Sequence, residues 1–195
     1  MRKYLLTVIG LVLLCLLAAM GTASGSPGTF TVNTTDDTDD STCDASHCSL
    51  REAINAANSN PGSTIAFNIP LTDTGHEVSG ITGTWTISLT SSLPITGGGT
   101  IISGTTQAAS QGDLNPDGPE IEISGASLSG AHCLIIESAS NVVHGLVINR
   151  CPLMGVLIQT AGADTNTVSG NYIGTDASGS TALGNKIGVA IAYGT

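Results

Sequence analysis

The sequence predicts an all-β fold, a parallel β-helix whose N-terminal end is covered by a short α-helix. Short alternating segments separated by Gly, Ser, Asn and Thr fill most of the 195 residues. Two different strand motifs recur in the same order in the C-terminal third. One stretch after the N-terminus, residues 43–58, has the period of an amphipathic helix instead.

The internal repeat is the observation on which the fold prediction depends most. Residues 141–148, NVVHGLVI, align with residues 166–173, NTVSGNYI, as N-x-V-x-G-x-x-I. Between them GVLI at 155–158 recurs as GVAI at 188–191, after an extra loop at 175–186. A segment this short cannot bury its apolar face alone, whereas stacked copies can.

Stacking makes specific predictions for the repeated positions. We expect the repeated Val and Ile to point inward as ladders, and Asn141 and Asn166 to exchange amide hydrogen bonds. Gly145 and Gly170 should mark sharp corners. The alternative, a sandwich of antiparallel hairpins, would need tight turns such as Asn-Gly, and the sequence has no such pair.

The remaining strands follow from alternation and from breaker residues. We predict a looser insertion at 71–83, a corner at the glycines 97–99, and Ile121 and Ile123 on the face opposite Glu120 and Glu122. The predicted strand segments are 29–32, 64–70, 84–89, 93–96, 100–103 and 120–123.

The helix of residues 43–58 carries its own start and stop chemistry. Ser49 and Glu52 form a predicted capping box, in which each side chain accepts a backbone N–H. The breakers at 58–62 end the helix. We expect it to close the first coil, near Ile65, Phe67 and Ile69, through one apolar stripe of Leu50, Ala53, Ile54 and Ala57.

Residues 1–24 have the pattern of a secretory signal peptide: Arg2 and Lys3, an apolar run, and small residues that allow cleavage after Ala23. An uncleaved membrane anchor is the alternative. Residues 25–62 then form the N-terminal cap, and residues 63–195 form β-helix repeats that look incomplete at the C-terminus. Cys15 leaves with the signal peptide.

Four cysteines remain in the exported chain, and an even number favours disulfides. Cys43 and Cys48 are predicted to pair just before the helix. Cys133 and Cys151 either pair across neighbouring layers or lie buried as free thiols. A zinc site of His47 with cysteines is a further alternative, although the spacing fits no common zinc pattern.

Charge and composition exclude some functions. The net charge is −10, and only Arg51, Arg150 and Lys186 remain as basic residues after residue 24. Nucleic acids and anionic membrane surfaces both require basic patches. We therefore expect neither nucleic-acid binding nor membrane association after signal cleavage.

Calcium is the cofactor that the sequence suggests. Asp113, Asn115 and Asp117 match the first half of a calcium loop, D-x-N-x-D-G. Ser124 stands where the loop would need a bidentate Glu, so a plain acidic surface loop is the alternative. The acidic run at 33–42 is interpreted as a solvated loop, with calcium again as the alternative.

No motif in the sequence strongly predicts an enzyme. Lyases of this architecture need a basic residue beside clustered acids, and hydrolases need converging carboxylates. The adjacent acid pairs at 36/37 and 39/40 precede the helix, and His144 occupies a position that is Ser169 in the next repeat. We predict no catalytic residues here and leave enzyme activity open.

CSLREAINAAN at 48–58 resembles the N-terminal signature of exported bacterial proteins known by their CSLREA motif. FTVN at 30–33, ISGTTQ at 102–107 and GNYIGTD at 170–176 are similar to recurring phrases of that group. The resemblance implies a right-handed parallel β-helix, secreted or at the cell surface, and no single activity. The acidic insertion at 111–119 departs from the pattern.

These observations predict a structural or adhesive rod that binds polysaccharide or other cell-surface components. The alternative is a polysaccharide-degrading lyase or glycoside hydrolase with its catalytic residues in further C-terminal coils. We also expect self-association through the last coil, because an uncapped coil exposes unpaired N–H and C=O groups.

Overall fold

The computed structural model describes residues 25–79 and 82–192. The predicted signal peptide, residues 1–24, lies outside the described residues. The described part contains two helices, α1 (Leu50–Ser59) and α2 (Thr106–Gln111). Its strands are β1 (Thr29–Val32), β2 (Thr64–Phe67), β3 (His76–Ser79), β4 (Thr82–Ser88), β5 (Leu93–Ile95), β6 (Ile101–Ser103), β7 (Ile121–Ser124), β8 (Leu134–Ile136), β9 (Val142–His144), β10 (Leu146–Asn149), β11 (Met154–Gln159), β12 (Thr167–Ser169), β13 (Tyr172–Ile173) and β14 (Ile187–Ala192).

The strands form three sheets that the chain visits in turn. Sheet A has the order β1-β2-β6-β9-β12, sheet B the order β13-β10-β7-β4-β3, and sheet C the order β14-β11-β8-β5. Thus β6, β7 and β8 contribute one strand to each sheet, and β9, β10 and β11 do the same in the next round. Neighbouring strands pair in parallel, except that β3 runs antiparallel to β4. The prediction of a mostly β chain is confirmed, and its sheets are parallel.

The register of the repeats agrees with the alignment of the two motifs. In sheet A, Val143 lies between Ile102 and Val168. In sheet C, Val156 pairs with Val189, the equivalent residue of the second motif. Because the same alternate positions recur in every round, the apolar side chains stack in inward rows. The fully buried members include Ile87, Ile95, Ile102, Ile123, Ile136, Val143, Ile148 and Val156.

The predicted exchange of hydrogen bonds between stacked asparagines is confirmed. The backbone N–H of Asn141 donates to Asn166 Oδ1 at 2.8 Å, and Asn141 Nδ2 donates to the same oxygen at 3.0 Å. Asn141 Oδ1 in turn accepts the N–H of Thr100 at 2.9 Å. The polar row therefore crosses three rounds of the chain. The predicted corners also occur, since Gly145 has φ +70° and Gly170 has φ +62°, a region that favours glycine.

Helix α1 begins with the predicted capping box. Ser49 Oγ accepts the Glu52 N–H at 3.2 Å, and Glu52 Oε2 accepts the Ser49 N–H at 2.8 Å. The helix extends one residue beyond the prediction, to Ser59. Its apolar stripe is buried against the first strands of sheets A and C, as the sequence predicted; the members are Leu50, Ala53, Ile54 and Ala57.

Polar side chains of α1 also bind the outer edge of sheet C. Asn58 Nδ2 donates to Pro94 O at 2.9 Å, and Asn58 Oδ1 accepts the N–H groups of Thr96 and Gly97. Arg51 donates from Nη1 to Ser92 O and from Nη2 to Ser91 O. The helix therefore supplies hydrogen bonds that a neighbouring strand would otherwise make with β5, and so protects that edge.

Helix α2 differs from the sequence prediction, which has one helical stretch after the N-terminus, at residues 43–58. Its Gln107 is completely buried and takes the place of a neighbouring strand for Ile69. Gln107 Oε1 accepts the Ile69 N–H at 2.9 Å, and Nε2 donates to Ile69 O at 2.8 Å. Helix α2 has six residues, and Gln107 is its one buried side chain. A single buried position has no period, so hydrophobic periodicity could not predict this helix.

The segment 71–83, predicted as a loose insertion, contains strand β3. Its pairing with β4 joins His76 to Trp85 and Glu77 to Thr84. The His76 ring stacks on the buried Trp85 ring, with 4.4 Å between centroids. The edge of sheet B is therefore occupied by a local antiparallel strand that the parallel repeat did not indicate.

Both cysteine pairs form disulfides, Cys43–Cys48 and Cys133–Cys151. The Cys43–Cys48 disulfide confirms the predicted local bridge. Of the two alternatives for Cys133 and Cys151, the structure shows the disulfide and not the free thiols. The cysteines are consequently not available for the zinc site that we considered with His47. Two disulfides are typical of proteins in oxidising compartments.

The two disulfides should contribute unequally to stability. Their sequence separations are 18 residues for Cys133–Cys151 and 5 for Cys43–Cys48. Loop-closure entropy then predicts a loss of about 3 kcal/mol for the double substitution Cys133→Ala/Cys151→Ala, against about 2 kcal/mol for Cys43→Ala/Cys48→Ala. Urea denaturation of both variants measures the difference, and the reverse order would contradict this account.

Candidate functional site

The acidic run before α1 is irregular and mostly exposed, as predicted for a solvated loop, and it is also hydrogen-bonded to the helix. Asp37 Oδ2 accepts Arg51 Nη2 at 2.7 Å and also the N–H and hydroxyl of Thr90. Asp39 Oδ2 accepts Asn55 Nδ2 at 2.9 Å. The run is thus part of the cap, and its carboxylates orient the polar face of α1.

His47 lies between two carboxylates of this cap. Its Nε2 is 3.1 Å from Asp36 Oδ2, and its Nδ1 is 3.0 Å from Glu52 Oε2, without the alignment of a hydrogen bond. The hydrogen bond to Asp36 raises the pKa of His47; burial acts in the opposite direction, and the charges of Asp36, Glu52 and Asp40 raise it further. The ring therefore lies between the acidic run and the start of α1, and its protonated form is favoured there.

Asp40, His47 and Glu52 each bring one potential metal ligand within 4.8 Å of the others. The oxygens of Glu52 already accept the backbone N–H groups of Ser49 and Asp40. We accordingly interpret this cluster as a polar network of the cap, in which the two carboxylates favour the protonated form of His47.

The His47 network should make stability depend on pH. Because the pKa of His47 is higher in the folded chain, its contribution is complete below about pH 6.5 and is lost as the pH rises through the folded pKa. His47→Gln should lower the free energy of unfolding by about 1 kcal/mol or less at pH 5.5, since the site is partly exposed, and by a smaller amount at pH 8.5. Urea titrations at the two pH values measure this, with His144→Gln as the control; an equal loss at both would contradict the pairing.

A polar groove runs along the free side of β1, beside the loop that the Cys43–Cys48 disulfide closes. Its volume is about 650 Å³. Thr29 and Thr31 are exposed on β1, and Phe30 between them is half-buried and packs against the core. Asp44 is the acidic residue of the lining, and no Lys, Arg or His contributes. The lining residues are Thr29, Phe30, Thr31, Asn33, Cys43, Asp44, Ala45, Ser46, Asn68, Pro70 and Gln111.

The floor of this groove is held rigid by side chains that have already formed their hydrogen bonds. Asn33 donates from Nδ2 to Asp44 O and Ala45 O and accepts the Cys48 N–H, so it joins β1 to the disulfide loop. Gln111 Nε2 donates to Asn68 Oδ1 at 2.6 Å. Among the lining groups, the hydroxyls of Thr29 and Thr31 and the outer atoms of the Asn68–Gln111 pair remain for a ligand.

The residues predicted to bind calcium lie in a loop over the corner between sheets A and B. Asp113 and Asp117 are exposed, whereas Asn115 is 2% exposed. Asn115 Nδ2 donates to Pro119 O and Ala177 O, and the Asp117 carbonyl accepts the Tyr172 hydroxyl. The loop is therefore tied to the round that contains β13. Glu120, which the motif did not include, is 3% exposed beside them.

The residues considered for catalysis are distributed over separate parts of the described chain. Arg51 belongs to the cap, and Arg150 Nη1 forms an ion pair with Glu122 Oε1 at 2.6 Å. Glu120 and Glu122 lie opposite the Ile side chains of β7, as predicted, but both are buried. His144 is half-buried on β9. The candidate binding sites are therefore the polar groove and a second cavity, which the loop predicted to bind calcium lines.

Comparison with protein-family models, with curated proteins and with solved structures gives no match to this chain. Within residues 25–79 and 82–192, neither helix is both long and apolar enough to cross a bilayer.

Proposed function

We propose that this chain is an exported bacterial protein of the CSLREA-motif kind, folded as a right-handed parallel β-helix. The capping box at Ser49 and the buried stripe of α1 give the motif a physical role at the start of the stack. The cyclic order of sheets A, B and C and the inward rows of Val and Ile support the β-helix. The two disulfides support export to the cell surface or the medium.

We further propose that the protein acts as a stiff rod that binds uncharged glycans in the groove beside β1. The observation that carries this proposal is the chemistry of the groove lining: hydroxyls, amides, one half-buried aromatic ring and a single carboxylate. Glycans are recognised by such groups, because each sugar presents hydroxyls at its edges and a C–H face to an aromatic ring. A rigid floor reduces the entropy lost on binding.

Charge determines the class of glycan. The chain has a net charge of −10, and Asp44 lies in the groove. A polyuronate or other acidic polymer would be repelled by this field. A neutral polysaccharide would not, and we expect it to be preferred at low ionic strength.

The proposal is tested by screening the disulfide-bonded protein on an array of neutral and acidic glycans. We expect binding to neutral glycans and a loss of affinity of about tenfold or more in Asn68→Ala/Gln111→Ala, corresponding to roughly 1.4 kcal/mol. Ser178→Ala, in an exposed loop of the last round, is the control. Binding confined to acidic glycans, or unchanged in the double variant, would refute the assignment to this groove.

The alternative function is a polysaccharide-degrading enzyme. Analysis of the products released from the bound glycans distinguishes this enzyme from a rod that only binds. Release of shorter oligosaccharides from any bound glycan, by reducing-sugar assay or mass spectrometry, would replace the rod with a lyase or hydrolase. We expect none.

Self-association remains part of the proposal, through the face that β14 presents. Val189 and Ile191 are 43% and 62% exposed, although their partners one round earlier, Val156 and Ile158, are core residues. Ile187 is 42% exposed and pairs with the half-buried Met154. A second copy can cover such a face. Light scattering should show association that increases with concentration and weakens in Ile191→Lys. Val78→Lys, at a residue 69% exposed on β3, should leave it unchanged; a wild type that stays monomeric at high concentration would contradict the prediction.

A further inference from the structure

A second cavity, of about 380 Å³, lies at the corner between sheets A and B. Loop 112–119 forms one wall, and the chain just after strands β6, β9 and β12 forms the other through Gly104, Gly145 and Gly170. A Cβ at Gly104 would lie 1.9 Å from the Gly145 carbonyl oxygen, so the corner brings successive rounds into backbone contact. The cavity is thus a defined space between a pinned loop and a rigid corner.

Two buried oxygen atoms at this cavity have no hydrogen-bond partner. Asn115 Nδ2 donates both of its hydrogens, to Pro119 O and Ala177 O, whereas Asn115 Oδ1 accepts no hydrogen bond. Glu120 Oε1 accepts the Leu114 N–H, but Glu120 Oε2 accepts nothing. Both side chains line the cavity and are at least nine-tenths buried. An unpaired buried acceptor costs about 1–3 kcal/mol, more if it is charged, so this pair of oxygens indicates a ligand.

The electrostatics of the cavity indicate that the ligand is a cation. Burial raises the pKa of Glu120, and the charge of Asp113 raises it further, while the backbone N–H groups of Leu114 and Asn115 act in the opposite direction. The lining contains Asp113, Asp117 and Glu120 and no Lys, Arg or His. A bound divalent cation would offset the burial of Glu120 and its repulsion by Asp113 together.

We propose that this cavity binds a divalent hard cation, with Ca²⁺ as the best fit, through Asn115 Oδ1, Glu120 Oε2 and the Asp113 carboxylate. Calcium prefers carboxylate and amide oxygens and accepts water in its remaining positions, for which the cavity has room. The site differs from the motif prediction of Asp113, Asn115 and Asp117, because Glu120 replaces the exposed Asp117. It is independent of the glycan groove.

The bound cation would fasten loop 112–119 to the stack. The loop already contacts the last described round through the Tyr172 hydroxyl and the Ala177 carbonyl. A cation held by Asp113, Asn115 and Glu120 would add a link within the loop itself, so its effect should appear in thermal stability as well as in binding heat.

The test uses the full chain, treated with EDTA and then dialysed, in calorimetric titration with CaCl₂ and in thermal unfolding with and without calcium. We expect saturable binding and a rise in Tm in the wild type. Glu120→Gln should weaken binding by about 100-fold or more and Asp113→Asn by about tenfold, whereas Asp117→Asn should change it less than about threefold. Asp164→Asn, an exposed acid outside the cavity, controls for net charge.

Three outcomes would overturn the proposal. A wild type with neither binding heat nor a Tm shift would mean that water alone fills the cavity. Loss of binding in Asp117→Asn with retention in Glu120→Gln would assign calcium to the linear motif instead. If Glu120→Gln fails to fold, unchanged affinity in Asp113→Asn, which alters an exposed side chain, would be equally decisive against it.

Discussion

Replacing Ile54 with Asp in α1 should destabilise the protein by more than about 4 kcal/mol, a large share of the stability of a typical domain. Ile54 is 1% exposed and packs in the core that α1 shares with β1, β2 and β5. The Asp carboxylate would be buried there without a partner, or the helix would have to leave the end of the stack. Departure of the helix would expose the first apolar row, at Ile65 and Phe67.

The matched control is Ser59→Asp, which places the same carboxylate on an exposed position of the same helix. We expect a loss of about 0.5 kcal/mol there, from a negative charge near the helix C-terminus. Urea denaturation followed by circular dichroism compares the two. The glycan binding that we propose for the groove beside β1, measured per folded molecule, should be unchanged in both, since α1 does not line that groove. A loss below about 1 kcal/mol for Ile54→Asp would mean that the helix is not a structural cap.

Replacing Asn141 with Leu should cost about 3 kcal/mol, although the two side chains are similar in size. Asn141 is completely buried. Its loss leaves the buried Thr100 N–H without its partner. The part-buried Ser138 carbonyl loses one of its two donors and keeps Asn166 Nδ2. Each buried polar group left unpaired costs about 1–3 kcal/mol, and the apolar gain of Leu offsets only part of this.

Asn166→Leu is the matched control, one round later in the same motif. Asn166 is half-buried, so water can replace part of its hydrogen bonding, and we expect a loss of about 1–2 kcal/mol. Thermal and urea denaturation of the two variants measure the difference. Equal losses of unfolding free energy at the two positions would contradict this prediction, because they would show that burial does not determine the contribution of each asparagine.

Much of the fold was predictable because its sequence signals are periodic. The alternation of Val and Ile gave the strands, and the recurrence of N-x-V-x-G-x-x-I gave the register in which β9 and β12 pair. The capping box at Ser49 gave the start of α1 within one residue. What the alternation could not give was helix α2 or strand β3. Helix α2 depends on the contact of Gln107 with Ile69, 38 residues away, and β3 depends on a local antiparallel pairing in which His76 stacks on Trp85.

The candidate sites were less predictable for the same physical reason. The groove combines β1 with the Cys43–Cys48 loop and with Asn68 and Gln111, and no linear pattern joins these segments. Glu120 was assigned to the outer face of a strand, and its burial becomes evident only when loop 112–119 folds over it. An acidic residue that alternates with Ile in a strand of this kind is a sign of a covered outer face.

The stacking of each round on the preceding one has a consequence for how the chain acquires its structure. Hydrogen bonds between stacked rounds join residues 25 apart at Asn141 and Asn166 and 41 apart at Thr100 and Asn141. These contacts are long-range in residue number, but each joins a round to the adjacent round. Folded structure can therefore propagate one round at a time from a nucleus. The cap is held by a capping box and by a disulfide between cysteines five residues apart. Such short loops cost little entropy to close. The cap can serve as a template on which later rounds assemble in the order of the sequence.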